Sequence, residues 1–258
     1  MERKEFLERF IFVRKCAGCK EILSYERASE AFCSLCSIRF QMAKAENCSE
    51  CFRVITECTC APKGLRDIIS LRKLMFYHPN KHRESPNQMI YFLKRHANAR
   101  VSSFLARELS KALNEEIEAC GYSNQRHNIV LVHVPRGRRA KIRYGHDQSE
   151  LICRALAEVC QISYLDCVVR SRTRSKEQKK LTGKKRFQNL KGAFALREGV
   201  DLSGKYVVLF DDIVTTGASM SECVKLFRSA GAKEVLALCI AQNEHKKGSK
   251  KSKKKLAG

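Results

Sequence analysis

The stretch that decides the fold is VVLFDDIVTTGAS, residues 207–219. Its apolar start belongs to KYVVLF (205–210), which reads as a central strand buried on both faces. Two adjacent carboxylates follow, Asp211 and Asp212, and then TTGAS (215–219), a turn with little side-chain bulk. In parallel sheets, ligands bind beyond the carboxyl ends of the strands, near a helix N-terminus. Backbone amides in such a turn, with the hydroxyls of Thr215, Thr216 and Ser219, suit a phosphate, and Gly217 permits a close approach. The carboxylates repel that phosphate. They suit sugar hydroxyls, a bound Mg2+ or a cationic transition state. Phosphate at one end and hydroxyls at the other describe a ribose 5-phosphate.

The flanking sequence has the alternation of an α/β body. SMSECVKLFRSAG (219–231) reads as a helix ended by glycine, and KEVLALCIAQ (233–242) as the strand that closes the sheet. Upstream, NIVLVHVP (128–135) is a doubly buried strand, SELICRALAEVC (149–160) an amphipathic helix and YLDCVVR (164–170) a further strand. GAFAL (192–196) is short enough to pair at an edge, and RDIISLRKLMFYH (66–78) holds a short strand. Between Ser85 and about residue 120, Met89, Leu93, Val101, Leu105, Leu109, Leu113 and Ile117 recur at helical spacing, with a break possible at His96–Ala99. Tyr91 and Phe92 are neighbours on that helix and point different ways, so no aromatic cluster is expected there.

Eight of the fourteen cysteines lie in the first sixty residues, as Cys16-x2-Cys19, Cys33-x2-Cys36, Cys48-x2-Cys51 and Cys58-x-Cys60. Each C-x2-C knuckle aims two thiolates at one point, and two such pairs complete a tetrahedral zinc site. Sequential pairing gives Cys16, Cys19, Cys33 and Cys36 around one ion and Cys48, Cys51, Cys58 and Cys60 around a second, with one ion or two left open. A ribbon this small builds little core, so the metal is structural first. The other six cysteines read as small core residues.

The net charge is +23, and HKKGSKKSKKKLAG (245–258) contributes seven lysines and no acid to it. This tail reads as disordered, and the remainder stays strongly basic, which favours phosphorylated or nucleic-acid partners. MERKEFLERFIFVRK offers no uninterrupted apolar region for a signal peptide, and no run is long enough to span a bilayer. A cytoplasmic protein without membrane insertion is expected, where a disulfide framework is improbable.

VVLFDDIVTTGAS resembles the phosphoribosyl-diphosphate (PRPP) motif of type I phosphoribosyltransferases. Gln178, Leu181, Arg186, Asn189, Gly192 and Phe194, together with the cysteine-rich head, extend the resemblance to the ComF family of competence and DNA-uptake proteins. It implies a mostly parallel sheet flanked by helices, preceded by a small zinc ribbon. The expected layout is a ribbon at 1–60, a phosphoribosyltransferase-like domain at 61–243 (helical section about 85–120, core about 121–243) and a basic tail at 244–258. It implies that Asp211 and Asp212 take the ribose hydroxyls and that Thr215, Thr216, Gly217, Ala218 and Ser219 take the 5-phosphate. Arg136, Arg143 and, in a mobile loop over 170–191, Arg186 would meet the diphosphate, with Mg2+ accompanying PRPP. Where the family shows R-G-F-N-Q, this chain has Tyr144-Gly145-His146-Asp147-Gln148, whose His–Asp pair is a further candidate to organise Mg2+. The implied partners are single-stranded DNA and DNA-uptake or helicase proteins. The alternative is an active transferase that joins ribose 5-phosphate to a nitrogen base with release of pyrophosphate.

Overall fold

A computed structural model describes residues 14–78, 85–171 and 190–244. Its centre is a five-stranded parallel sheet in the order β1-β7-β6-β2-β3, made of β1 (Leu71–Tyr77), β2 (Ile129–His133), β3 (Ser163–Tyr164), β6 (Tyr206–Val214) and β7 (Glu234–Asn243). The period-two alternation of side chains builds two cores. Ile129, Leu131, Tyr206, Val208, Phe210, Leu236, Leu238 and Ile240 face one layer, while Val130, Val132, Val207, Leu209, Val235, Ala237 and Cys239 face the other. Helices α1 (Ser34–Lys44), α2 (Ser85–Arg95), α3 (Ala99–Ala119) and α5 (Gln148–Cys160) lie with the first core, and α6 (Ala218–Ser229) with the second. The short α4 (Arg138–Tyr144) follows β2.

The break expected at His96–Ala99 is present, because Asn98 caps α3 by accepting a hydrogen bond from the Val101 amide at 3.0 Å. Three expectations differ from the structure. β7 does not close the sheet but lies inside it, since β1 adds in parallel along its outer side. The run 164–170 is two strands: Leu165 donates its amide to Leu131, and the chain then turns away so that β4 (Val168–Arg170) leaves the sheet. GAFAL does not join an edge of the main sheet. Its residues Phe194–Leu196 form β5, which pairs antiparallel with β4 as a separate ribbon over the second core.

The cysteine-rich head shares its core with the sheet. Cys16, Ala17, Leu23, Phe32 and Phe40 belong to the same apolar cluster as Leu105, Val208 and Leu238. Phe32, Phe40 and Phe104 pack with ring centroids 5.4–5.5 Å apart, Arg100 donates to the Lys15 carbonyl at 2.8 Å, and Lys44 pairs with Glu108. Among the described residues, no helix is long and apolar enough to cross a membrane. The tail at 245–258 lies outside the described residues.

Candidate functional site

The cysteine residues form one knuckle built twice. Cys16–Cys19 and Cys48–Cys51 each sit in a tight hairpin closed by an isolated bridge, Lys15 with Ile22 and Asn47 with Val54. In both, the residue after the second cysteine is left-handed, Lys20 at φ +69° and Phe52 at φ +62°. Its amide donates to the first cysteine's carbonyl, at 3.0 and 2.8 Å. The sulfurs of Cys16, Cys19, Cys33 and Cys36 lie within 4.8 Å of one another, as do those of Cys48, Cys51, Cys58 and Cys60. Cys19 and Cys33 have Sγ atoms 3.7 Å apart, close to the ~3.8 Å edge of a tetrahedron with bonds of about 2.3 Å. Burial opposes ionisation of Cys16, but amide donors from Cys33, Cys19 and Gly18 outweigh it and lower its pKa to about 7. At Cys51 the Arg53 amide and neighbouring thiols likewise outweigh burial and bring it to about 7. Each set can hold a tetrahedral metal ion, in the pairing expected from sequence.

The motif at 207–219 forms the second centre. β6 continues through the acidic doublet to Val214, so both carboxylates project from the carboxyl end of the strand, next to the turn into α6. A recess of about 240 Å³ is lined by Leu190, Asp211, Ile213, Val214, Thr215, Thr216, Gly217, Ala218, Ser219 and Met220. Gly217 is the N-cap of α6 at φ +74° and gives it no side-chain acceptor, and the first residues of the helix border this recess. The close approach that Gly217 permits is to Leu65, whose Cβ would lie 2.7 Å from a Cβ at this position.

Asp211 is held protonated well above the usual carboxylate range, by burial first and then by the like charge of Asp212. Its Oδ1 accepts from the Asp212 amide at 2.9 Å. Asp212 Oδ1 accepts from the Ile213 amide at 2.7 Å, while its Oδ2 accepts from the Gln148 side chain and lies 3.4 Å from Lys94 Nζ. Arg170 stacks over Phe194 at 5.2 Å, and its charge acts on Asp211. Lys94 and Arg170 are functional candidates that sequence reasoning missed. Lys94 reaches Asp212 directly and Arg170 acts on Asp211 through its charge, both from elements far away in the chain, and no local pattern marks them.

The basic segment after β2 is arranged differently from the expectation. It coils into α4, and neither Arg136 nor Arg143 lines the recess. The Arg136 guanidinium turns toward the carbonyls of Lys94 and His146 at 3.4–3.5 Å and stacks over Tyr144, tying this segment to α2. Arg143 is exposed, and Arg186 lies outside the described residues, as does 172–189 of the expected loop. His146 and Asp147 do not form a metal-ready pair. The His146 ring lies between the carbonyls of Tyr144 and Leu93, at 2.7 and 3.0 Å. Asp147 is a buried cap that accepts from the Arg136 amide at 2.8 Å and the Ser149 amide at 3.2 Å, with Lys141 3.3 Å away. Gln148, by contrast, works at the site through Asp212.

The phosphoribosyl transferase domain family matches residues 149–257. DNA utilization protein YhgH of Escherichia coli (strain K12) is 31% identical over 155 residues, covering 60% of this chain and 66% of that protein. Competence protein F of Haemophilus influenzae is 31% identical over 114 residues, 44% of this chain and 50% of that protein. The chain thus spans just under two thirds of the first relative and half of the second. Among solved structures, purine phosphoribosyltransferase from Pyrococcus horikoshii Ot3 aligns with 54% of this chain and 74% of that one at 17% identity and a TM-score of 0.35, too slight a likeness to add to the fold described above. With two cysteine sets ahead of its parallel sheet, the chain matches the phosphoribosyl transferase domain family over residues 149–257 and is similar to competence protein F and the YhgH proteins.

Proposed function

We propose that the chain binds PRPP or a related phosphorylated ribose at the carboxyl end of β6 and works with nucleic acid in DNA uptake or use, as the names of its relatives suggest. The observation that carries the sugar site is the meeting of Asp211 with the uncapped N-terminus of α6 in one recess. A 5-phosphate fits against the amides and hydroxyls of Thr215, Thr216, Gly217, Ala218 and Ser219. Asp211 and Asp212 are left for the ribose hydroxyls. Mg2+, when bound with a diphosphate, would supply positive charge that these two carboxylates can share. Arg138, Arg139 and Arg143 on α4 offer further charge for the diphosphate, and Arg136 holds their segment to α2. The two cysteine sets would hold zinc as structural ions, since the sulfurs gather at tetrahedral spacing and the second set has only a small apolar cluster of its own.

Thermal unfolding with and without ligand tests the sugar site. A ligand at a hundred times its Kd adds about 2.7 kcal/mol of stability. PRPP with Mg2+ and ribose 5-phosphate should both raise the melting temperature, and free ribose should not. An unchanged melting temperature with every phosphorylated sugar would overturn the reading.

A further inference from the structure

A second recess, of about 340 Å³, opens between α2 and the first cysteine knuckle. It is lined by Lys20, Gln88, Tyr91, Phe92, Arg95 and His96, three aromatic rings and two full cations with no acidic side chain. Contrary to the sequence expectation, Tyr91 and Phe92 contribute to one surface. Residues 88, 91, 92 and 95 share a helix face, and His96 turns its ring against Phe92 at 5.0 Å between centroids. Lys20 is placed by the knuckle, whose left-handed turn and 3.0 Å amide bond to Cys16 fix its backbone. Lys20 and Arg95 are both exposed.

Two links join this recess to the sugar site. Tyr91 pairs its hydroxyl with that of Tyr77, whose own ionisation is suppressed by burial, by Tyr91 and by the charge of Asp212. Lys94, from the same helix, reaches Asp212 itself. A π surface flanked by cations is the chemistry that holds an unpaired base and its phosphates, because every base has a face to stack and every linkage a negative charge. A duplex keeps its bases inside and offers nothing to stack.

We propose that this recess is a subsite for single-stranded nucleic acid, in which one base stacks on Phe92 while Lys20 and Arg95 pair with the adjoining phosphates. The proposal rests on the reading that the chain works with nucleic acid, and it gives the cysteine-rich head a part in binding. A strand seated here passes beside the ribose site, with α2 shared between them.

The test is fluorescence anisotropy of labelled oligothymidylate with the full chain across a range of salt concentrations. Phe92→Leu, which keeps an apolar side chain against the core, should weaken binding about tenfold. Arg95→Gln and Lys20→Asn (asparagine tolerates the left-handed turn) should each reduce the slope of log affinity against log salt by about 0.7. The basic tail is common to all variants, so it cancels in the comparison. Should Phe92→Leu fail to fold, the two exposed-residue variants still decide the matter. Wild-type affinity and slope in these variants would overturn the subsite while leaving the nucleic-acid reading in place. The same losses with a labelled duplex would rule out base stacking as its basis. No binding by the wild type would overturn both readings, and a melting temperature still raised by PRPP would then leave the sugar site standing alone.

Discussion

Asp211 carries a cost that the fold does not need. Burial and the neighbouring Asp212 hold its proton on, with Lys94 relieving only part of the repulsion. The folded chain therefore keeps a proton that the unfolded chain releases above about pH 4. Stability falls as pH rises from there through the folded pKa. Asp211→Asn should melt close to the wild type near pH 4 and progressively higher than it as pH rises, by about 2–4 °C for each kcal/mol recovered. Scanning calorimetry across that range checks the sign, and a variant that melts lower at neutral pH would contradict the account. The doublet and the small-residue turn were legible in sequence because a strand end, two acids and a glycine turn are local features. Asp147 shows the limit. Its position in the motif suggested metal chemistry, yet it caps α5 and holds the Arg136 amide, contacts that only the folded chain reveals.

At the scale of elements, the strongest strands and helices follow from hydrophobic period alone: β2, β6, β7, α3, α5 and α6 lie close to where the pattern places them. What the pattern missed is pairing. β4 and β5 leave the main sheet, and β7 is interior, because pairing depends on which strand arrives from elsewhere in the chain. The cysteine head belongs to the same lesson. Its ligand pairs are readable from spacing, but not the docking of Phe32 and Phe40 onto Phe104 of α3. Since head and sheet share one apolar core, Cys16→Ser should lower zinc from two ions per chain to one and also lower the melting temperature of the whole body. Metal analysis with calorimetry reads both. Two ions retained in Cys16→Ser would refute the ligand assignment, and an unchanged main transition would refute the coupling. Lys73, fully buried on β1, ties the second cysteine set to the sheet by donating to the Cys60 carbonyl at 2.6 Å.

Across the whole molecule, α2 stands between the acidic doublet, the segment after β2 and the first cysteine knuckle. One side of its last turns sends Lys94 to Asp212, its carbonyls at Leu93 and Lys94 face His146 and Arg136, and its outer face meets the first cysteine knuckle at Lys20. The surplus of positive charge would act at longer range, raising the local concentration of any phosphorylated ligand around the chain. The proposed ribose phosphate site is the feature on which the functional reading depends. Calorimetric titration of the purified chain with PRPP and Mg2+, repeated on the Asp211→Asn, Asp212→Asn double variant, tests it directly. Saturable binding by the wild type and its loss in a folded double variant is the predicted result. Heat equal to dilution in the wild type, or unchanged affinity in the variant, would contradict it.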